Sequence, residues 1–158
     1  MKQMKLRFCC LLFCLLFLLV ACAKRSYRND LSATEVAASL SETIGLDADF
    51  GDQTLLSDQI TLPDETELTV CMAKSGMNID ECGVWRTDDP AGARRQLETY
   101  LEKSYQQNKT YYDSYIPDQI PKLRDAEVRI FGSYVVYAIL SPEQKTALFR
   151  AAEKLLSV

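Results

Sequence analysis

Apolar residues recur at three- and four-residue steps in three segments of the chain, and this spacing predicts three amphipathic helices. The first opens with a capping box, in which Ser32 is followed three residues later by Glu35. The last opens with the same box, Ser141 with Gln144, and has a proline at its first position. The predicted helices begin at Ser32, at Asp88 or Asp89, and at Ser141, and they end near Gly45, near Tyr112 and close to the C-terminus.

Apolar runs between these helices predict two β-hairpins. The first hairpin turns at residues 75–78, and the second turns at Gly132–Ser133. Because residues 134–140 are apolar on both faces, we expect them to form a central strand. The predicted strands are 68–73 with 81–86, and 126–131 with 134–140.

The order helix, hairpin, helix, hairpin, helix predicts a single α+β domain over residues 31–158. We expect a four-stranded, mainly antiparallel sheet built from the two hairpins in ββαββα order, preceded by the N-terminal helix, with the helices packed on one face. Residues 46–67 have the weakest pattern. Pro63 argues against a continuous element there, and one short helix is expected around Leu55.

Residues 1–21 are typical of a removable signal peptide. A short basic head, Met1–Arg7, precedes an unbroken apolar run, Phe8–Ala21. The 14 residues of this run fit the core of a signal peptide and fall short of the roughly 20 that a membrane-spanning helix needs. We therefore expect secretion and not a transmembrane anchor.

The run ends in Leu19-Val20-Ala21-Cys22, which resembles the lipobox of bacterial lipoproteins. In those proteins the thiol receives diacylglycerol and the cysteine becomes the new N-terminus, so the resemblance implies a lipid anchor on Cys22. Such anchoring rests on acyl-chain burial, at about 0.8 kcal/mol per CH2 group. The alternative is an ordinary leader or an uncleaved anchor in which Cys22 is incidental, since Cys9, Cys10 and Cys14 also occur in the leader.

Residues 22–30 follow the leader as a short polar tether with three positive charges, Lys24, Arg25 and Arg28. These charges are consistent either with attraction to an anionic bilayer or with a solvated linker. The expected location is the extracytoplasmic face of the cell membrane, with membrane lipid as a partner through Cys22.

Charge and composition narrow the classes of function. Removal of Lys2, Lys5 and Arg7 with the leader leaves 15 basic and 22 acidic residues, a net charge of −7, which argues against nucleic acid as a partner. The chain has no histidine, so Ser-His and Cys-His nucleophile activation is excluded. We find no Ser-x-x-Lys, Gly-x-Ser-x-Gly or phosphate-loop motif, and we expect neither a cofactor nor a metal.

Three segments resemble a family of small Gram-positive lipoproteins whose domain has no assigned function. They are Tyr115-Ile116-Pro117-Asp118-Gln119, Asp125-Ala126-Glu127-Val128 and Gly132-Ser133-Tyr134-Val135-Val136. The lipobox and the hairpin that holds Ser75-Gly76-Met77 add to the resemblance, whereas Cys71, Cys82 and Trp85 depart from it. The resemblance implies the location and the fold, and it implies no catalytic residues.

Cys71 and Cys82 are the only cysteines after Cys22, and two strand registers are open for them. If Lys74 pairs with Ile79, Cys71 faces Cys82 and a disulfide is geometrically feasible. If Lys74 pairs with Asp80, Cys82 turns to the opposite face. The second register gathers more apolar residues on one face, so we favour two buried, unreactive thiols and keep the disulfide as the alternative.

The segment Asp47–Asp52, with Asp58 further on, has part of a calcium-loop pattern. It departs from that pattern where the pattern is strictest, because Asp52 occupies the glycine position and Asp58 replaces the closing glutamate. We therefore expect a solvated acidic loop.

Aromatic residues with polar tips cluster on the second helix and just after it, where they suit either a binding surface or the edge of the core. At helical spacing we expect about half of them to belong to the core. They are Tyr100, Tyr105, Tyr111, Tyr112 and Tyr115, with Trp85 one element earlier.

The sequence leaves three functional hypotheses. The first is a non-catalytic, lipid-anchored domain that binds an unknown protein or ligand at the cell surface. The second is a surface hydrolase that acts on cell-wall or polysaccharide substrates with two carboxylates, in a cleft floored by Trp85 or a tyrosine. The third is a structural component of an envelope complex, which would expose a contiguous apolar patch.

Overall fold

A computed structural model of the chain describes residues 26–52, 56, 59–63, 66–75 and 77–158. Within these residues the fold is α+β, as expected, with four α-helices and one antiparallel sheet. The helices are α1 (Ala33–Thr43), α2 (Pro90–Tyr115), α3 (Ile120–Arg124) and α4 (Pro142–Leu156). The strands are β1 (Ala48–Asp52), β2 (Glu67–Ala73), β3 (Glu81–Arg86), β4 (Glu127–Phe131) and β5 (Tyr134–Ile139), and a 3₁₀ turn spans Pro117–Gln119.

The sheet has five strands in the order β1-β2-β3-β5-β4, so the expectation of four strands is wrong. The additional strand, β1, pairs with β2 and places Phe50 opposite Cys71. It lies in the acidic segment Asp47–Asp52, which we expected to be a loop. Of the β1 residues, Ala48 packs against the core. Because an edge strand buries little of its surface, the sequence of β1 does not need a clear alternation of apolar and polar residues.

The helices cover both faces of the sheet, which corrects the expectation of one covered face. Helices α1 and α4 pack on one face, and α2 and α3 pack on the other. The physical reason is visible in β5, every residue of which is buried, because a strand that is apolar on both faces must be covered on both. We call these surfaces the α1–α4 face and the α2–α3 face.

The local signals placed the starts of α1, α2 and α4 correctly. Ser32 caps α1 and Ser141 caps α4, and both capping boxes are formed. Helix α2 begins at Pro90 with Asp89 as its cap, and it continues to Tyr115, three residues beyond the predicted end. It stops ahead of Pro117, which disfavours the helical conformation in the residue before it.

The start of the described chain lies against its C-terminus. Tyr27 forms an isolated antiparallel bridge with Ser157, and the Arg28 N–H donates to the Leu156 carbonyl at 2.8 Å. The Tyr27 ring also meets the ring of Phe131 edge to face, with centroids 6.0 Å apart. Residues 27–30, which we assigned to the tether, are thus attached to the domain.

Several predictions fall on residues outside the described ranges. They are the leader 1–21, the lipidation site Cys22, the tether as far as residue 25, and Leu55, Asp58 and Gly76. Among the helices of the described residues, none combines the length and the apolar character that a membrane crossing requires.

Candidate functional site

An open groove runs along the free edge of β4. Strand β4 pairs with β5 on one side only, and α2 and α4 rise on either side of its other edge. The groove has a volume of about 1400 Å³, which is larger than the roughly 300–1,000 Å³ of a typical small-molecule pocket. Tyr27 and Ser157 lie at the Phe131 end of the groove.

The wall of the groove on the α2 side is largely apolar at its base. Leu101 of α2, Leu123 of α3 and Val128 of β4 are buried, and Ile130 is partly buried beside them. Exposed charges stand above this base on α2, where Arg94 donates to Glu98 at 2.7 Å. This side holds two basic and two acidic lining residues, Arg94 and Arg124 with Glu98 and Glu102, so the wall offers apolar contact more than net charge.

The wall on the α4 side is basic on balance, with Arg129, Arg150 and Lys154 against Glu127 and Glu153. The Arg129 guanidinium lies 4.2 Å from the centre of the Phe149 ring and donates to Glu127 at 2.8 Å. Arg150 and Lys154 line the same wall, and neither has an ion-pair partner among the described residues. Overall the groove is lined by five basic and four acidic residues, in a chain that carries a net charge of −4.

The floor of the groove presents unpaired backbone groups. The hairpin closes on the pair Phe131 and Tyr134, which exchange hydrogen bonds across the two-residue turn. Because bonding alternates along an antiparallel strand, the N–H and C=O groups of Val128 and Ile130 point away from β5 and into the groove. Such an edge is a template for a further strand.

A second polar centre lies under the α2–α3 face, around the carboxyl group of Glu81. The hydroxyl groups of Tyr137 and Tyr100 donate to the same Glu81 oxygen, at 2.6 Å and 3.3 Å. Burial raises the pKa of the Glu81 carboxyl, and these two hydrogen bonds offset part of that rise. Glu81 is not among the residues that line the groove.

A third centre joins the β2–β3 turn to α3. The Lys122 ammonium donates to Asp80 at 2.5 Å, to Gln119 at 2.9 Å and to Asn78 at 3.1 Å. Asp80 is only 6% exposed, and Asn78 also donates to it. Since every ligand of the ammonium group is a side chain of this network, the cluster holds the turn in place and leaves little room for a substrate.

Cys71 and Cys82 face each other directly, which is the register we did not favour. The bond from the Ala73 N–H to the Asp80 carbonyl, at 2.8 Å, marks this register. Both thiols are free and buried on the α1–α4 face, as expected for unreactive cysteines. The hydrogen bond with Cys71, together with burial, raises the pKa of the Cys82 thiol far above its ordinary value. Our preference for the other register was wrong because it assumed one buried face.

The remaining sequence candidates divide between core and surface. Trp85 is fully buried, and its indole N–H has no acceptor among the described residues. Tyr100 is buried, whereas Tyr111 and Tyr115 are exposed, with their ring centroids 4.8 Å apart. The aromatic cluster is therefore part core and part surface, as expected. Asp47, the first residue of the acidic segment, pairs with Lys74 at 2.6 Å.

The groove is the site that sequence reasoning missed, because α2, β4 and α4 are far apart in the chain. One local signal pointed to it. Arg129 and Glu127 alternate with apolar residues in β4, whereas β5 is apolar throughout, and this contrast is typical of an edge strand beside a central one.

Comparison with known proteins yields one match. A family model described as "Domain of unknown function (DUF4358)" matches residues 59–140, just over half of the 158-residue chain. Neither the curated proteins nor the solved structures contain a match. The matched segment runs from the approach to β2 through the end of β5, so it includes β4 and the α2 wall of the groove but not α4.

Proposed function

Because the chain belongs to the family of the domain of unknown function DUF4358, which brings no activity with it, we propose a function from the chain's own residues. The proposed function is that of a non-catalytic binding domain, held by lipid on Cys22 at the extracytoplasmic face of the cell membrane. We further propose that it belongs with the small lipoproteins of Gram-positive bacteria, on the basis of the lipobox and the segments quoted above.

The groove along β4 is the observation that carries the binding role. It combines an apolar base, a basic wall and free backbone groups, which are the elements of a recognition site. The proposed partner is a protein or ligand at the cell surface.

The hydrolase alternative has less support from the geometry. A carboxylate-based hydrolase places two carboxyl groups in one cleft, and the pKa of the one that acts as general acid is raised. The carboxyl group with a raised pKa, Glu81, lies beneath Tyr100 and Tyr137 and outside the groove. Trp85, the expected floor of such a cleft, is buried in the core.

The envelope-component alternative also has less support. Large apolar side chains that are exposed in the described residues are dispersed over several elements, including Phe50 on β1, Met77 in the β2–β3 turn and Tyr115 at the end of α2. An obligate structural partner would require a contiguous apolar patch. The groove is instead mixed in character, as transient binding sites are.

Metabolic labelling with an alkyne fatty acid tests the anchor. We expect the wild-type chain to be labelled in membranes and the variant C22A to be unlabelled. The variant C14A is the matched control, because Cys14 lies in the predicted leader and its loss should leave labelling unchanged. Labelling of C22A, or a mature chain that retains the leader, contradicts the proposed anchor.

Site-directed photo-cross-linking in intact cells tests the groove. A benzophenone amino acid replaces Arg150 on the groove wall, and Glu42 on α1, which is also exposed, serves as the control position. We expect a discrete adduct at position 150 and none at position 42. Adducts of equal yield at both positions, or at neither, would remove the groove as the binding site.

A further inference from the structure

We propose that the groove binds an extended peptide, which adds to β4 as a sixth strand, with acidic side chains toward α4 and apolar side chains toward α2. This inference rests on the proposed function and specifies the partner. The peptide is a segment of a separate protein outside the membrane.

The backbone of β4 supplies the first argument. Val128 and Ile130 each direct one donor and one acceptor into the groove, two residues apart. An extended strand presents donors and acceptors at this same spacing, whereas a helix satisfies its own backbone groups internally. The five residues of β4 span about 17 Å, enough for a peptide of five or six residues.

The walls of the groove supply the second argument. Helices α2 and α4 stand on both sides of the β4 edge and line the same cavity. A second copy of this chain would bring its own α2 and α4 to the contact, and four helices would compete for the space beside two strands. A single extended segment fits between the walls without that conflict.

Side-chain chemistry supplies the third argument. Successive residues of an added strand point alternately to the two sheet faces. On the α4 side they would meet Arg129, Arg150 and Lys154, which outnumber Glu127 and Glu153 on that side and favour carboxylates. On the α2 side they would meet Leu101, Val128 and Ile130, which favour apolar groups. The groove therefore matches a peptide in which acidic and apolar residues alternate.

The probe is a synthetic eight-residue peptide of alternating valine and glutamate with a fluorescein label, titrated into the full-length lipoprotein in detergent. A peptide of the same composition, with its four valines and four glutamates in separate blocks, is the matched control. A second control alternates valine and lysine. We expect the valine–glutamate repeat to bind at least tenfold more tightly than either control.

Amide hydrogen exchange distinguishes strand addition from any other mode of binding in the groove. In the free protein we expect fast exchange at Val128 and Ile130, and slow exchange at Arg129 and Phe131, which bond to β5. The bound peptide should slow exchange at Val128 and Ile130 and leave the other two unchanged. Because this measurement needs no substitution, it does not depend on whether a variant folds.

Charge reversal provides a third measurement. The variant R150E should weaken binding of the valine–glutamate peptide by about fivefold, as expected for an exposed charge pair, and should improve binding of the valine–lysine peptide. The variant R95E is the matched control, since Arg95 is an exposed arginine of α2 that does not line the groove. It should leave both affinities unchanged.

The outcomes separate this inference from the proposed function. A groove adduct in cells, together with peptide binding that leaves exchange at Val128 and Ile130 fast, would overturn strand addition and leave the binding role in place. Slow exchange at both residues in the free protein, with a dimeric mass, would overturn it in favour of pairing between two copies. Absence of both the adduct and peptide binding would remove both proposals.

Discussion

Tyr137 lies directly opposite Gly83 in the pairing of β5 with β3, and its ring occupies the space where a side chain at position 83 would stand. A Cβ atom there would lie 2.3 Å from Cε1 of Tyr137 and 3.1 Å from the Thr69 carbonyl oxygen. The glycine therefore lets the tyrosine cross the sheet surface and deliver its hydroxyl group to Glu81. Gly83, the Tyr137 ring and the Glu81 carboxyl group therefore form one packed unit.

We predict that G83A lowers the free energy of unfolding by about 1–3 kcal/mol, the usual effect of overpacking a core. The Tyr137 ring is fully buried and cannot move aside without displacing its neighbours. Urea denaturation measures the change. In a Y137V background the same glycine substitution should have a much smaller effect, and equal effects in the two backgrounds would show that the ring is not the cause.

Glu81 should make the stability of the protein depend on pH. Burial raises the pKa of its carboxyl group in the folded state, so the folded protein binds this proton more tightly than the unfolded chain does. The stabilisation is complete below the ordinary pKa, near 4.5, and is lost as the pH rises through the raised value. Stability contributed by this group therefore falls from acid toward neutral pH.

The variant E81Q keeps an acceptor for Tyr137 and removes the titration. We predict that at pH 7.5 it is at least as stable as the wild type, and that its stability changes less between pH 4.5 and 7.5. Urea midpoints at the two pH values measure both effects. Every other ionisable group is the same in the two proteins, so the difference isolates Glu81. The variant E42Q, at an exposed position on α1, should behave as the wild type.

Replacement of only one partner of the Asp80–Lys122 ion pair should strongly lower the free energy of unfolding. The side chains of Lys122 and Asp80 are 17% and 7% exposed, so K122M leaves a buried carboxylate without its cation. We predict a loss of about 3–5 kcal/mol in unfolding free energy for K122M. The double variant D80N/K122M should lose clearly less than the two single variants combined, because it removes both charges.

An exposed ion pair provides the matched control for this experiment. Arg94 and Glu98 are 49% and 48% exposed, and they lie four residues apart on α2. The variant R94M should change the unfolding free energy by less than about 1 kcal/mol. Similar losses for R94M and K122M would contradict the assignment of the Lys122 network as the tie between α3 and the β2–β3 turn.

Cys71 and Cys82 should be reduced and protected in the native protein. We predict slow alkylation of both thiols under native conditions and fast alkylation after unfolding, because both are buried between β2, β3 and α1. Trypsin cleavage after Lys74 places the two cysteines on separate peptides, so mass spectrometry without reductant resolves the question. A linked pair of peptides would show that these opposed cysteines are bridged.

Local signals predicted α1, α2, α4 and both hairpins, because capping residues and turns act within a few positions of the chain, whereas the short helix α3 was not predicted. Ser32, Ser141 and Pro117 each mark a helix boundary that the structure confirms. The two-residue turn at Gly132–Ser133 is confirmed in the same way, and Gly132 adopts the positive φ of 63° that such a turn requires.

Non-local relations were not predictable in this way. The register that places Cys71 opposite Cys82 depends on which faces of β2 and β3 are buried, and we assumed one face when both are covered. Strand β1 depends on pairing with β2 and not on its own propensity, since its sequence holds aspartates and a glycine. The groove forms between α2, β4 and α4, which are far apart in the chain. Only the alternation of polar and apolar residues in β4 indicated that β4 is an edge strand.

The bridge between Tyr27 and Ser157 has a practical consequence for work on this protein. Because both ends of the described chain leave from one corner, a purification tag or a sensor-surface linkage added after Val158 would emerge beside the mouth of the groove. Immobilisation through that end would obstruct the very surface under study. An attachment point on the exposed side of α1, such as Glu42, keeps the β4 edge accessible.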